Sequence, residues 1–285
     1  MPFTNEETAY FDSLRTIYFS NSDNFISLIK KDYVEEYGDI TKEIAQQNTS
    51  QIIERLIKIG REKWNKIRLD IQRNWVEGFL DDFDHLSEKF PNLADKLKNL
   101  INDLESINSN NKKIIAVHQS LFEITSNFEW SNRQAAKNLA GFTFEACIKI
   151  VLESLNCRFE TQKELSEGEV LDFIYPNLET AIANPSNCIV TECQTTLKDR
   201  FRLSLGKVPR GNPIDSYIFT AGGLGVITAN DKNDLTDNKV EEIKEKGWKI
   251  VVFKKFKDET FNNNPIVISF EDFFNRYYPS KETLW

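Results

Sequence analysis

The segment Cys188-Ile189-Val190-Thr191-Glu192-Cys193-Gln194-Thr195-Thr196-Leu197-Lys198-Asp199-Arg200-Phe201-Arg202 sets a carboxylate and an amide two residues apart in a short apolar run, then adds three cations and one acid. A run of this length bounded by polar residues reads as a buried strand. Side chains at i and i+2 of a strand share a face, so Glu192 and Gln194 project together. Twenty residues before Glu192, Asp172 sits in a second strand-like run, Val170-Leu171-Asp172-Phe173-Ile174-Tyr175. Acids are disfavoured inside strands, yet both of these occur within apolar runs. Two acids from adjacent strands, followed by cations at a helix start, form a set able to bind a divalent metal and hold a phosphodiester against it.

Working outward, apolar runs of strand length recur at 157–161, 170–175, 187–194, 215–220, 225–228 and 248–254, with helical stretches at 196–206, 237–246 and 269–277 between them. Strands alternating with helices indicate an α/β core with a mixed sheet. Ser269 and Asp272 form a helix-cap signature. Upstream, one helix is expected over 112–127, and a second opens at Ser131, with Gln134 three residues on as a capping box, and runs to about Leu155. On that helix Gly141, Glu145, Ile148 and Leu152 lie on one stripe. A carboxylate on an apolar stripe faces the packed interior, where an unpaired charge is costly. Glu145 therefore either pairs with a buried cation or helps to hold a metal.

The first hundred or so residues read as helices, with apolar residues at three- and four-residue spacing in Ile52, Leu56 and Ile59 and again in Leu93, Leu97, Leu100 and Leu104. Pro91-Asn92 separates two helices, and Ser106 to Asn111 is a polar linker. A boundary near residue 108 follows, giving a helical N-terminal domain over 1–108 and an α/β domain over 109–285.

Bulk properties narrow the function classes. The 285-residue chain is 40% hydrophobic and 12% aromatic, enough for a sizeable core. It has no run of about 18 apolar residues and its polar start lacks a signal-peptide pattern, so the expectation is a cytoplasmic protein with no membrane partner. Cys147, Cys157, Cys188 and Cys193 form no CxxC pair and read as reduced core residues rather than a zinc site. His85 and His118 lie in no metal-ligand pattern. A net charge of −8 argues against indiscriminate nucleic-acid binding. Two islands run against it: residues 194–212 and residues 58–73 each carry a local balance of +4. They are compatible with a DNA-facing side, and the second is equally compatible with a solvated helix face.

Mg²⁺ prefers one or two carboxylates plus water and phosphate oxygens, and it can acidify a bound water and neutralise charge on a phosphate. Asp172, Glu192 and Glu145 are the candidate ligands. The amide of Gln194 can orient water by hydrogen bonds but brings no charge; Lys198 or the metal would have to compensate. Thr196 is a natural helix N-cap with Asp199 at the N3 position. The same helix start can instead enter a major groove, where Arg donates twice to guanine O6 and N7 and Asp accepts from cytosine N4. Ala221-Gly222-Gly223-Leu224-Gly225 lacks the ending of a phosphate loop and reads as a turn.

These pieces, in this order, resemble type II restriction endonucleases of the PD-(D/E)XK class, in particular the CC/GG-recognising group that includes the EcoRII catalytic domain, PspGI and BsaWI. Three segments carry the resemblance: Arg133 to Glu145, similar to that group's helix ending in AG-x-[ST]-[LF]-E; Cys193 to Arg202, similar to its K-T-T-x-K-D-R-W-R segment; and Ile243 to Val252, similar to its late helix and strand. Coverage is roughly residues 112–285. The resemblance implies a central mixed sheet flanked by helices, Glu145 as the helix-borne acid of the active site, and Asp172 and Glu192 as metal-binding acids with Mg²⁺ as cofactor. Gln194 would occupy the position of the catalytic lysine. Lys198, Asp199 and Arg200 would recognise C·G pairs, with Arg202, Arg133 and Lys137 as further DNA contacts. The implied activity is Mg²⁺-dependent cutting of double-stranded DNA at a short palindrome by a homodimer or higher homo-oligomer. The region 1–108 has no counterpart in that likeness, and DNA contact, dimerisation and regulation are its open roles. Two rivals remain: a sequence-specific DNA-binding protein of nuclease ancestry that no longer cleaves, and a helical interaction protein with a structural α/β platform.

Overall fold

A computed structural model describes residues 5–18, 22–166, 168–197, 201–209, 211–222 and 234–277. The N-terminal part is helical: α1 (Asn5–Tyr18), α2 (Ser22–Tyr37), α3 (Lys42–Gln47), α4 (Thr49–Asp81), α5 (Phe83–Lys89) and α6 (Pro91–Ser106), followed by the 45-residue α7 (Asn110–Ser154). Pro91 occupies the first turn of α6, where its missing N–H is not needed. Leu93, Ala94, Leu97 and Leu100 bury the stripe of α6 that its sequence spacing anticipates.

The two helices expected over 112–127 and from Ser131 are one continuous α7. Residues 125–131 contain neither Gly nor Pro, so nothing there interrupts the backbone ladder, and a capping-box spacing alone does not end a helix. The end of α7 is set instead by Asn156, whose φ of 56° is left-handed, with the Cys157 amide donating back to the Leu152 carbonyl at 3.0 Å. That C-terminal motif consumes residues 155–157. It explains why the strand expected at 157–161 begins later, as β1 (Glu160–Ser166).

The remaining elements are β2 (Glu169–Tyr175), α8 (Leu178–Ala183), β3 (Ile189–Gln194), α9 (Phe201–Gly206), β4 (Asp215–Thr220), α10 (Asp237–Glu245), β5 (Trp248–Val252), α11 (Lys254–Thr260), β6 (Val267–Ser269) and α12 (Phe270–Tyr277). Among the described residues, six strands lie in sequence order in one mixed sheet. β1–β2 and β2–β3 pair antiparallel, whereas β3–β4, β4–β5 and β5–β6 pair parallel. This is the mixed α/β architecture expected from the sequence. Strands β3, β4 and β5 are buried on both faces, as parallel strands between helices must be. The expected strand 248–254 stops at Val252 because α11 starts two residues later, and the expected strand 225–228 lies outside the described residues.

By chain contacts the protein divides into two compact units, one formed by residues 1–27 and 62–139 and the other by residues 28–61 and 140–285. They interleave in sequence rather than meeting at one cut near residue 108. The first unit has its own core of Tyr10, Leu14, Ile71, Phe90, Leu93, Ala94 and Leu97. In the second, the sheet packs one face on Val190, Phe201, Leu205, Ile218, Val240, Ile243, Trp248 and Ile250. Aromatic side chains gather elsewhere in that unit, with the Phe219 ring 4.8 Å from Phe273 and 5.4 Å from Phe270. Helix α12 opens with the cap anticipated from sequence: the Asp272 amide donates to Ser269 Oγ at 2.9 Å, and the Ser269 amide to Asp272 Oδ2 at 3.2 Å. The N-terminal segment of this unit is tied in by Ser50, whose amide and hydroxyl both donate to the Glu271 carboxylate at 2.8 and 2.7 Å.

Candidate active site

Strands β2 and β3 are in register through Phe173–Thr191, Ile174–Val190 and Tyr175–Ile189. Past Phe173 and Thr191 the regular ladder stops, and acid side chains take over as acceptors. The Cys193 amide donates to Asp172 Oδ2 at 2.7 Å, and the Asp172 amide to Glu192 Oε1 at 3.3 Å. Backbone donors that open as strands part must find partners, and here each acid meets a main-chain amide of the facing strand. Asp172 and Glu192 are thereby brought together at the mouth of the β2–β3 pair.

Glu145 joins from α7. Its Oε2 accepts from Gln162 Nε2 at 3.2 Å, and the same amide nitrogen donates to Asp172 Oδ1 at 3.0 Å. Gln162 lies in β1 with a φ of 52°, the left-handed region that costs a residue with a Cβ of order 1 kcal/mol. Gln194 shares its face with Glu192, as the i, i+2 spacing requires: Gln194 Nε2 donates to Ser204 Oγ at 3.1 Å, and Ser204 donates to Glu192 Oε2 at 3.0 Å. Lys207, just beyond α9, donates from Nζ to the same Glu192 oxygen at 2.7 Å and to the Val170 carbonyl at 2.6 Å.

The electrostatics are those of an anionic cluster short of positive charge. Burial, then the charges of Asp172 and Glu192, push Glu145 up to about 7. Burial and Asp172 likewise push Glu192 up to about 7, against the opposing pull of Lys207 and Ser204. Burial raises Asp172 too, while the Cys193 amide, Lys207 and Gln162 pull it down. Three hard oxygen donors that resist ionising side by side are a donor set suited to a divalent cation such as Mg²⁺, which needs only one or two carboxylates from the protein. Among the described residues, no three His, Cys, Asp or Glu side chains are arranged as a ready metal-holding group. Glu145 and Asp172 converge on the Gln162 amide, and Glu192 turns to Lys207 and Ser204.

The cationic segment divides. Lys198, Asp199 and Arg200 lie outside the described residues; Thr196, where a helix was expected to start, is in a bend, and the described helix α9 runs from Phe201. Arg202 pairs with Glu242, Nε to Oε1 at 2.6 Å and Nη2 to Oε2 at 3.1 Å, and its guanidinium lies 5.2 Å from the Phe201 ring centroid. The turn leading into residue 198 is firmly held. Asp234 Oδ2 accepts from the Leu197 amide, and Lys239 Nζ donates to the carbonyls of Leu197 and Asp234, the latter at 2.6 Å. Arg133 and Lys137 are exposed on α7, in the helical unit.

Sequence reading missed Gln162, Ser204, Lys207, Asp234 and Lys239. Lys207 was visible only as one charge in a basic island; its approach to Glu192, fifteen positions earlier, is made by the crossover through α9. Gln162 fell beyond the end of the expected first strand.

The chain shares the fold of metal-depleted Ecl18kI in complex with uncleaved, modified DNA: TM-score 0.74 at 16% identity, covering 96% of this chain and 83% of that one. A second structure of metal-depleted Ecl18kI, with uncleaved DNA, matches with TM-score 0.70 at 16% identity, covering 95% and 82%. The PspGI–substrate DNA complex matches with TM-score 0.60 at 15% identity, covering 92% and 93%. No protein-family model matches the chain, and no curated protein sequence matches it. No helix among the described residues is long and apolar enough to cross a membrane.

Proposed function

We propose that this protein is a type II restriction endonuclease of the PD-(D/E)XK class. It hydrolyses both strands of DNA, with Mg²⁺, at a short palindrome containing CC/GG base pairs. The observation that supports this reading is Asp172 at the parting of β2 and β3, joined to Glu145 through the Gln162 amide and bonded by its own amide to Glu192, on a fold shared with restriction endonucleases solved on DNA.

In this reading Asp172 and Glu192 would hold the cation, with Glu145 as the helix-borne acid beside them. The ion, when bound, supplies Lewis-acid neutralisation of the scissile phosphate and acidifies a water. The chain's own groups do the remaining work. Gln162, bonded through its amide to both Glu145 and Asp172, holds the two carboxylates facing one another. Gln194 orients the attacking water by hydrogen bonds. Lys198, Asp199 and Arg200, carried past the turn that Lys239 and Asp234 anchor, read C·G pairs, each good contact contributing about 1–3 kcal/mol of discrimination. Arg202 exchanges Glu242 for a phosphate, and Arg133 and Lys137 add backbone contacts. Two strands need two sites, so the working form is a homodimer or higher homo-oligomer with matching half-sites. The helical unit adds DNA contacts, dimer contacts or regulation, and the enzyme works in the cytoplasm.

Incubation with Mg²⁺ and DNA of known sequence is expected to yield discrete fragments whose mapped ends share one site. Asp172→Ala and Glu192→Ala should abolish cutting and leave DNA binding measurable. DNA left intact across several metals and salts would overturn the reading. Gln194 favours a second reading, a sequence-specific DNA-binding protein that no longer cleaves; a sequence-dependent gel shift with no product under any metal selects it.

A further inference from the structure

We infer that Lys207, delivered by the turn after α9, is the catalytic cation of this site and takes the place that the neutral Gln194 leaves without charge in β3. The inference rests on the nuclease reading and adds a residue to it.

The geometry makes the case. Lys207 Nζ sits 2.7 Å from Glu192 Oε2 and 2.6 Å from the Val170 carbonyl. Among the described residues it is the cation whose charge acts on Glu145, Asp172 and Glu192 together. An ammonium has three donors; two are engaged, which leaves one for a substrate oxygen. The Lys207 side chain is 20% exposed while that of Glu192 is 2% exposed, so the ammonium forms the rim of the acid cluster rather than its floor. Gln194 and Lys207 approach one another through shared partners: Gln194 reaches Ser204, and Ser204 and Lys207 both donate to the same Glu192 oxygen. An ammonium arriving from either position therefore serves the same small volume.

The chemistry that volume requires is hydrolysis of a phosphodiester. A water oxygen bonds to phosphorus and its proton passes to solvent through a carboxylate of the cluster. One bridging P–O bond breaks, its electron pair staying on the leaving oxygen, which takes a proton from solvent and departs as an alcohol. Negative charge builds on the non-bridging oxygens, and a preorganised donor there contributes about 10²- to 10³-fold in rate. The remaining N–H of Lys207 is placed to supply it, with Glu192 and Val170 fixing the ammonium.

The test compares wild type, Lys207→Met, and the relocated pair Lys207→Met with Gln194→Lys, each in single-turnover cleavage with Mg²⁺. Binding to the same DNA is measured in EDTA over a range of salt, and folding by circular dichroism. Lys207→Met is expected to cut at least about 100-fold more slowly, and its salt slope of DNA affinity to fall by about 0.9 as one phosphate contact is lost. A buried counter-ion with no substrate contact would not move that slope. The relocated pair, which returns the charge to the cluster, is expected to recover cutting at least tenfold over Lys207→Met. Cutting by Lys207→Met within tenfold of wild type overturns the inference, and so does an unchanged salt slope. Should Lys207→Met fail to fold, Lys207→Gln, which keeps a donor for Glu192 but no charge, takes its place under the same thresholds of rate and salt slope. If wild type cuts no DNA, the nuclease reading falls, while the salt slope still decides whether Lys207 meets a phosphate.

Discussion

Replacing Glu192 with Gln should make the metal-free protein more stable at pH 8 and leave it nearly unchanged at pH 5. Glu192 is buried, and its carboxyl is pushed from 4.5 up to about 7. A group whose folded value lies above its unfolded one binds more protons in the folded state between the two. Stability is therefore lost as pH rises from about 4.5 to 7 and stays lost above that. The ionised carboxylate costs of order 3 kcal/mol on this reckoning. The amide keeps an oxygen for Lys207 and Ser204, but its NH2 would face the Asp172 amide that Oε1 now accepts, a loss of about 1 kcal/mol. The net gain at pH 8 is about 1–2 kcal/mol. Urea unfolding in EDTA, followed by circular dichroism at both pH values, should show a midpoint raised by about 0.5–1 M at pH 8 only, given slopes of about 1–3 kcal/mol per M. A variant less stable than wild type at pH 8, or shifted equally at both pH values, would refute the account of an overcharged acid cluster. Added Mg²⁺ should narrow the gap by stabilising wild type more than the variant.

Gly60, in α4, sits close against its neighbours: a Cβ there would meet Ile29 Cδ1 and Thr143 Cγ2, both at 3.0 Å, and would need each to give by a few tenths of an ångström. Gly60→Ala should therefore destabilise by about 1 kcal/mol, overpacking exceeding the gain in helix propensity, and Ile29→Val in the same chain should recover most of it in thermal melts. Lys239→Met removes the ammonium that bridges the Leu197 and Asp234 carbonyls; it should cost about 1–3 kcal/mol as the Asp234 carboxylate loses its cation and keeps only the Leu197 amide, and competition gel shifts should show specific DNA binding weakened more than non-specific. Equal weakening of both would show that the turn does not position base-reading residues.

The architecture was legible because the strands carry strong local signals. Residues 170–175, 187–194 and 215–220 are apolar, of strand length and bounded by turn residues, and β2, β3 and β4 follow them closely. The acids were legible for a related reason, since Asp172 and Glu192 are costly in such runs unless something uses them. What stayed hidden depends on tertiary placement. Gln162 reaches Glu145 and Asp172 from a backbone conformation that no side-chain pattern announces. Lys207 is one lysine among several until the chain folds back through α9. The continuity of α7 was missed because a capping-box spacing was given more weight than the absence of any residue that breaks a helix.

The interleaving of the two compact units bears on how this chain can be dissected. A fragment beginning after residue 108 would retain the whole sheet and all three acids, yet it would lose residues 28–61, which belong to that unit. Gone with them would be Ser50, which gives two hydrogen bonds to Glu271 and accepts one from the Lys254 amide, and the tight seat of Gly60 against Thr143. The unit that carries the sheet is not a cassette that can be lifted out with one pair of scissors, and deletion series in this protein will measure folding before they measure function.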